Sequence, residues 1–137
     1  MTEPSLALQT AIRSRLIASS AVTGLVPASA IVDRNSTPVL DNAILIGEGM
    51  TLADDGLART RHEAFADLHI WRKESGLVGA KQVAGAIRAA LSDGPMTVGG
   101  FHVADLRIAS SRFIRDPGGQ HSHGIVSLVA RVVEVTP

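Results

Sequence analysis

Residues 75–92 read SGLVGAKQVAGAIRAALS, and the fold follows from how this stretch is read. Val83, Ile87 and Leu91 recur at i, i+4 and i+8 with Ala80 and Ala84 beside them, so a helix here carries one apolar stripe. Lys81, Gln82 and Arg88 fall off that stripe. Ser75 offers a side-chain oxygen for the N-terminal cap, and Gly94-Pro95 stops the helix. Alternating stretches flank it, residues 61–71 before and residues 101–114 and 124–136 after. A helix set between alternating strands must lie across one face of a mostly antiparallel sheet. The expected class is α+β. It has a mostly antiparallel sheet of about four to five strands, one main helix packed on one face and an N-terminal helix, in a single domain over residues 1–137.

Working outward, Thr2 caps a first helix with Pro4 in its first turn, and Leu6, Ala7, Ala11, Ile12 and Leu16 recur at helical spacing. Residues 19–26 form a short second helix that ends before Pro27. Residues 31–33 are a short strand, 35–41 a loop, and 43–47 (AILIG) an apolar run short enough for a strand covered on both faces. Residues 48–60 read as a loop or mobile hairpin with a turn at Asp54-Asp55-Gly56. In residues 61–71 Ala64, Ala66, Leu68 and Ile70 share one face. Glu63, Phe65, Asp67, His69 and Trp71 share the other, which is too mixed for plain solvent and fits contact with a partner. In residues 101–114 Ala104, Leu106 and Ile108 face one way, and Val103, Asp105, Arg107 and Ala109 the other. Residues 115–123 (RDPGGQHSH) are a long turn. In the last strand Val126, Leu128, Ala130 and Val132 form one face, and Ile125, Ser127, Val129, Arg131, Val133 and Val135 the other.

The 137 residues, 45% of them hydrophobic, suffice for one core. Thirteen cations balance thirteen anions, which argues against binding driven by the charge of a nucleic acid. Only Lys73 and Lys81 are lysines, and the other cations are arginines, the residue suited to bidentate protein contacts. The chain has no cysteine, so disulfide and thiolate chemistry drop out. Residues 1–17 do not read as a signal peptide and no run approaches a membrane span, so the expectation is a soluble protein made in the cytoplasm, with no membrane partner.

Candidate chemistry is thin. His121-x-His123 puts two imidazoles on one strand face, and His62, His69 or His102 would have to supply a third metal ligand. Glu63 and Asp67 share a face, but acid–base work needs a pocket that separates their pKa values, and cross-strand ion pairs explain them more simply. No serine sits in a nucleophile elbow, and Gly47-x-Gly49, Gly99-Gly100 and Gly118-Gly119 open no helix as a phosphate loop would. The expectation is no catalytic residue, no cofactor and no metal. Mixed strand faces and open sheet edges suit a subunit of an assembly. The candidate interface residues are Phe65, Asp67, Trp71, Arg107, Arg112, Arg115, Asp116, His121, His123 and Arg131.

The order of motifs resembles the tail-completion, or tail-terminator, proteins of long-tailed phages and phage-like gene transfer agents. The likeness runs through LQTAIRSRLIASSAVTGLV (8–26), AILIGEG (43–49), HEAFADLHIWRKESGLVGAKQVAGAIRAAL (62–91) and FHVADLRIASSRFIRDPGGQHSHGIVSLVARVVE (101–134). The chain departs from the pattern in the few prolines of residues 35–41 and in Ser122. The resemblance implies a structural virion protein, not an enzyme, with no catalytic residue to carry over. It implies a homo-hexameric ring at the neck of the particle, assembled in the host cytoplasm. Its partners would be the tail tube protein and a neck stopper or adaptor protein, with DNA passing through the lumen without tight or specific binding. A head-closure (stopper) neck protein is the alternative. A small metal-dependent enzyme built on His121, His123 and a third histidine is a remote one.

Overall fold

The computed structural model describes residues 3–33, 41–53, 59–92 and 94–135. The first helix, α1 (Pro4–Ala18), is capped by Glu3, whose carboxylate accepts from the amides of Ser5 and Leu6, with Pro4 in the first turn. The expected cap, Thr2, lies outside the described residues. Ala7, Leu8, Ala11, Ile12 and Leu16 are fully buried, while Leu6, expected on the inner stripe, points to solvent. A short α2 (Ser20–Thr23) and a 3₁₀ turn (Ala28–Ala30) lead into β1 (Ile31–Val32). The expected loop at 35–41 lies, except for Asp41, outside the described residues.

The sheet continues with β2 (Asn42–Ala53) and β3 (Arg61–Lys73), then α3 (Val78–Leu91), β4 (Met96–Val98), β5 (Phe101–Arg115) and β6 (His121–Glu134). The strand order is β1-β2-β3-β6-β5-β4. Every pairing is antiparallel except β1 with β2. Six strands therefore stand where four to five were expected. The extra one is β4, which Gly99 and Gly100 fold back onto β5 with φ of 55° and 85°, a two-residue turn that needs positive φ at both positions.

Residues 48–60, expected as a loop or mobile hairpin, supply part of a hairpin and not a loop from Glu48 on. β2 runs on to Ala53 across a register shift between Ile46 and Gly49, so Gly49–Ala53 pairs with residues 62–66 of β3. An extra residue on one strand bends it without ending the pairing, which simple alternation does not register. The turn at Asp54-Asp55-Gly56 lies outside the described residues.

One core cluster unites both long helices with a single face of the sheet. Leu8, Ile12 and Leu16 of α1 and Val83, Ile87 and Leu91 of α3 meet Ile44, Ile46, Ala64, Leu68, Ile70, Val126, Leu128 and Val132. Each large side chain buried there stabilises the fold by about 1.5–3 kcal/mol. The inner stripe of α3, the inner face of β3 and that of β6 are those expected from the sequence. In β5 the expected faces fail. Asp105 takes φ of 52°, and register shifts fall between Ala104 and Arg107 and again between Ile108 and Ser110. The first bulge puts Val103 on the same side as Leu106 and Ile108, and turns Ala104 to the other.

Ser75 does not cap α3. Glu74 does, through Oε1 on the Gly79 amide (2.8 Å) and Oε2 on the Ala80 amide (2.9 Å). Its Oε2 also accepts from Ser122 Oγ at 2.5 Å, so one carboxylate ties together the end of β3, the start of α3 and the start of β6.

Candidate assembly surface

With α1 and α3 on the same side, the other face of the sheet is left open. Cross-strand partners in register share a face, so this face can be read row by row. Ala43, Trp71, His123 and Ile114 form one row; Leu45, His69, Ile125 and Arg112 the next. Asp67, Ser127 and Ser110 follow, then Met50, Phe65, Val129 and Arg107, then Leu52, Glu63 and Arg131.

The first two rows hold the most ordered group on the face. The His123 imidazole stacks on the Trp71 indole, with centroids 4.0 Å apart and planes 12° from parallel. His123 Nε2 lies 2.9 Å from His69 Nδ1, a contact that needs one proton between two nitrogens. Gly47 gives His69 its room, because a Cβ there would stand 2.6 Å from the His69 ring. His69 Nε2 is buried without a hydrogen bond, and Glu48 Oε2 stands 3.5 Å away, in reach to attract the ring once it is protonated. Burial holds the pKa of His123 below the ordinary histidine value, helped by the neighbouring His69 and by Arg112 and opposed by Asp116. One row further out, His121 Nε2 bonds Asp41 Oδ1 at 2.8 Å, and that bond lowers the pKa of Asp41.

The ten candidate interface residues therefore do not form one cluster. Trp71 and His123 are in direct contact, and Phe65, Asp67, Arg107, Arg112 and Arg131 share their face. Arg107 pairs with Asp105 at 2.8 Å, an exposed pair worth little. Arg115 Nε donates to the Ser75 carbonyl at 3.3 Å beside the start of α3. The backbone of Asp116 closes the turn to β6, its amide donating to the His121 carbonyl and its carbonyl accepting from Gly119. The expected long excursion is short, since β5 runs to Arg115 and β6 begins at His121. His69, Glu48, Leu45 and Met50 join this face though none is among the ten. His69 was already placed on the face of Trp71 by alternation, Leu45 lay in a run expected to be covered on both faces, and the register shift between Ile46 and Gly49 hid Glu48 and Met50.

The histidines do not converge as metal ligands would. His121 is turned to Asp41 and His123 to His69, and among the described residues no three His, Asp or Glu side chains gather to hold a metal ion. No described helix is long and apolar enough to cross a membrane.

Residues 10–133 match the family model described as tail completion protein gp17. The fold is similar to a chain in the virion of a native gene transfer agent particle, with TM-score 0.81 at 18% identity, covering 97% of this chain and 99% of that one. It is also similar to the gp17 protein of bacteriophage SPP1, with TM-score 0.59 at 20% identity, covering 94% and 89%. No curated protein matches the sequence. The chain belongs to the tail completion protein gp17 family.

Proposed function

We propose that this tail completion protein acts as a structural ring, a homo-hexamer that caps the tube at the head-proximal end of a tail and joins it to the neck. The observation that carries the reading is the family match across residues 10–133. The architecture supports it, because all packing against helices is spent on one face of the sheet. The other face keeps Phe65, Trp71 and His123 among charged groups such as Arg107, Arg112 and Arg131. Large aromatics in a polar setting are the composition of protein contact surfaces. A head-to-tail ring needs two different patches, not one self-complementary patch. In this reading the tube protein and a neck stopper or adaptor protein are the partners, and the balanced charge of the chain lets DNA pass the lumen without tight binding.

Negative-stain electron microscopy of the purified chain, alone and mixed with the tube protein encoded beside it, tests the proposal. Six-fold rings, or tubes capped at one end and uniform in length, are the expected result. Tubes that keep growing beside an unbound chain, together with normal particles from a deletion strain, would overturn it.

A further inference from the structure

The sheet ends in two free strand edges. β1 pairs with β2 only at Ile44 and Leu45, so among the described residues no strand lies on that side of β2 from Ile46 to Ala53. At the opposite end of the sheet, β4 pairs with β5 only at Phe101, His102 and Val103, so among the described residues no strand pairs the outer side of β5 from Ala104 to Arg115. Unpaired N–H and C=O groups along an edge are a template for another strand.

The two edges match in direction, in apolar content and in charge. β2 is antiparallel to β3, β3 to β6 and β6 to β5, so β2 and β5 run oppositely. When copies stand side by side in the same orientation, β5 of one therefore meets β2 of the next as an antiparallel pair, the geometry that extends the sheet. Both edges carry exposed large apolar side chains on the open face, Met50 (50% exposed) and Leu52 (44%) on β2 and Ile114 (40%) on β5. Beside the β5 edge a cleft of about 250 Å³ opens under the end of α3, lined by Leu91, Leu106, Ile108 and Leu128. Arg112 stands on β5 together with Arg107, which is paired with Asp105, while β2 carries the highly exposed Glu48.

We propose that the occupant of each edge is a second copy of this chain. The free edge of β5 in one copy pairs antiparallel with the free edge of β2 in the next, so that the sheets join head to tail. The inference deepens the ring reading and rests on it for closure. Two unlike edges that fit each other give a heterologous contact, which closes into a ring or runs on as a filament. Edge pairing also places Met50 and Leu52 beside the open-face side chains of β5 and removes their exposed surface from water.

The chain has no cysteine, so engineered ones report without background. Leu52→Cys protein is mixed with each of Arg107→Cys, Ser110→Cys, Arg112→Cys and Ile114→Cys, all on the open face. Short bismaleimide crosslinking is then read on gels, with rings counted by microscopy. The expected result is a mixed dimer whose yield peaks at one β5 position and falls several-fold at its neighbours, absent when Leu52→Cys is treated alone. The double variant, with Leu52→Cys and the peak position in one chain, should give a ladder. Rings without any crosslink at the four positions would overturn the edge pairing and leave the ring reading standing. A crosslinked ladder that never closes, with or without the tube protein, would support the pairing and overturn the ring. Equal crosslinking of Leu52→Cys to itself would replace the head-to-tail contact with a symmetric one and refute the proposal.

Discussion

Replacing Glu74 tests whether one carboxylate joins three elements. Its Oε1 and Oε2 accept from the amides of Gly79 and Ala80 at the start of α3, and Oε2 also accepts from Ser122 Oγ, a hydroxyl on a fully buried residue. In Glu74→Ala, the loss of the helix cap costs about 1–2 kcal/mol. The Ser122 hydroxyl is left without its acceptor, a further cost of about 1–3 kcal/mol. The sum is about 2–5 kcal/mol. Glu74→Gln keeps the shape. Its amide oxygen accepts from one of the two helix amides and its NH₂ can donate to Ser122 Oγ, so the loss is one helix-amide acceptor together with the charge against the helix dipole, about 2 kcal/mol.

The pH dependence sharpens the test. Burial acts to raise the pKa of Glu74, but the bonds from Ser122, Gly79 and Ala80 and the charge of Arg72 outweigh it, so the value lies below the ordinary carboxylate range. A depressed carboxylate contributes stability above its unfolded pKa and loses it as pH falls through the folded one. Urea unfolding of wild type, Glu74→Gln and Glu74→Ala at neutral and acid pH is the assay. The gap between wild type and Glu74→Gln should narrow in acid, where other groups titrate equally in both proteins. An alanine variant no worse than the glutamine one, or a gap that ignores pH, would refute the role of the carboxylate.

Phe101, 1% exposed, sits in the core, and Phe101→Ala should cost about 3–5 kcal/mol in urea unfolding. Trp71 lies half-buried on the open face, so Trp71→Ala should cost about half as much. Equal costs would put Trp71 in the wrong layer. Trp71 is the single tryptophan, and its stacking on His123 makes its emission a reporter of that ring. Because the pKa of His123 is lowered, Trp71 emission should be quenched by an imidazolium only on the acid side of the ordinary histidine range. The folded state then binds fewer protons than the unfolded one, so stability should fall as pH drops through the unfolded histidine pKa. Gly47→Ala, whose Cβ would collide with His69, should shift that emission midpoint with little loss of stability. An unchanged midpoint would mean that His69 does not hold His123.

The fold was legible wherever one residue follows another at a fixed period. The stripe of α3 and the inner faces of β3 and β6 carry long, uninterrupted apolar repeats, and these are the elements that build the core. Misreadings fall where a single inserted residue changes parity. The bulge near Glu48 made the end of β2 look like a loop, and the one at Asp105 reversed half of β5. Such insertions leave composition unchanged and show only in the partner strand. The cap was misassigned for a related reason. Ser75 has the better side chain by propensity, but Glu74 is the residue that the end of β3 aims at both the helix amides and Ser122. The candidate surface was legible only as a list of residues on alternating faces. Which of them touch depended on cross-strand register, which joined Trp71 to His123 and set Arg115 apart beside α3.

The same bulges bear on why this sheet suits an assembly. A free edge invites indiscriminate pairing, and proteins blunt edges with bulges, charges and short strands. Here the charge and the bulges sit on long strands. β5 carries two register shifts, the Arg107–Asp105 pair and Arg112 along its free length, and β2 carries one shift with Glu48 beside it. Like edges would set arginine against arginine along β5, or leave β2 to pair with itself across its own bend. Unlike edges bring opposite charge together. Devices that disfavour β5 against β5 thus leave β5 against β2 open, and this asymmetry gives a head-to-tail contact its direction. Charge reversal reads it out. Arg112→Glu should weaken the mixed dimer with wild-type β2 edges, and lower salt should strengthen the wild-type pairing several-fold. Salt-independent pairing would assign the selectivity to shape alone.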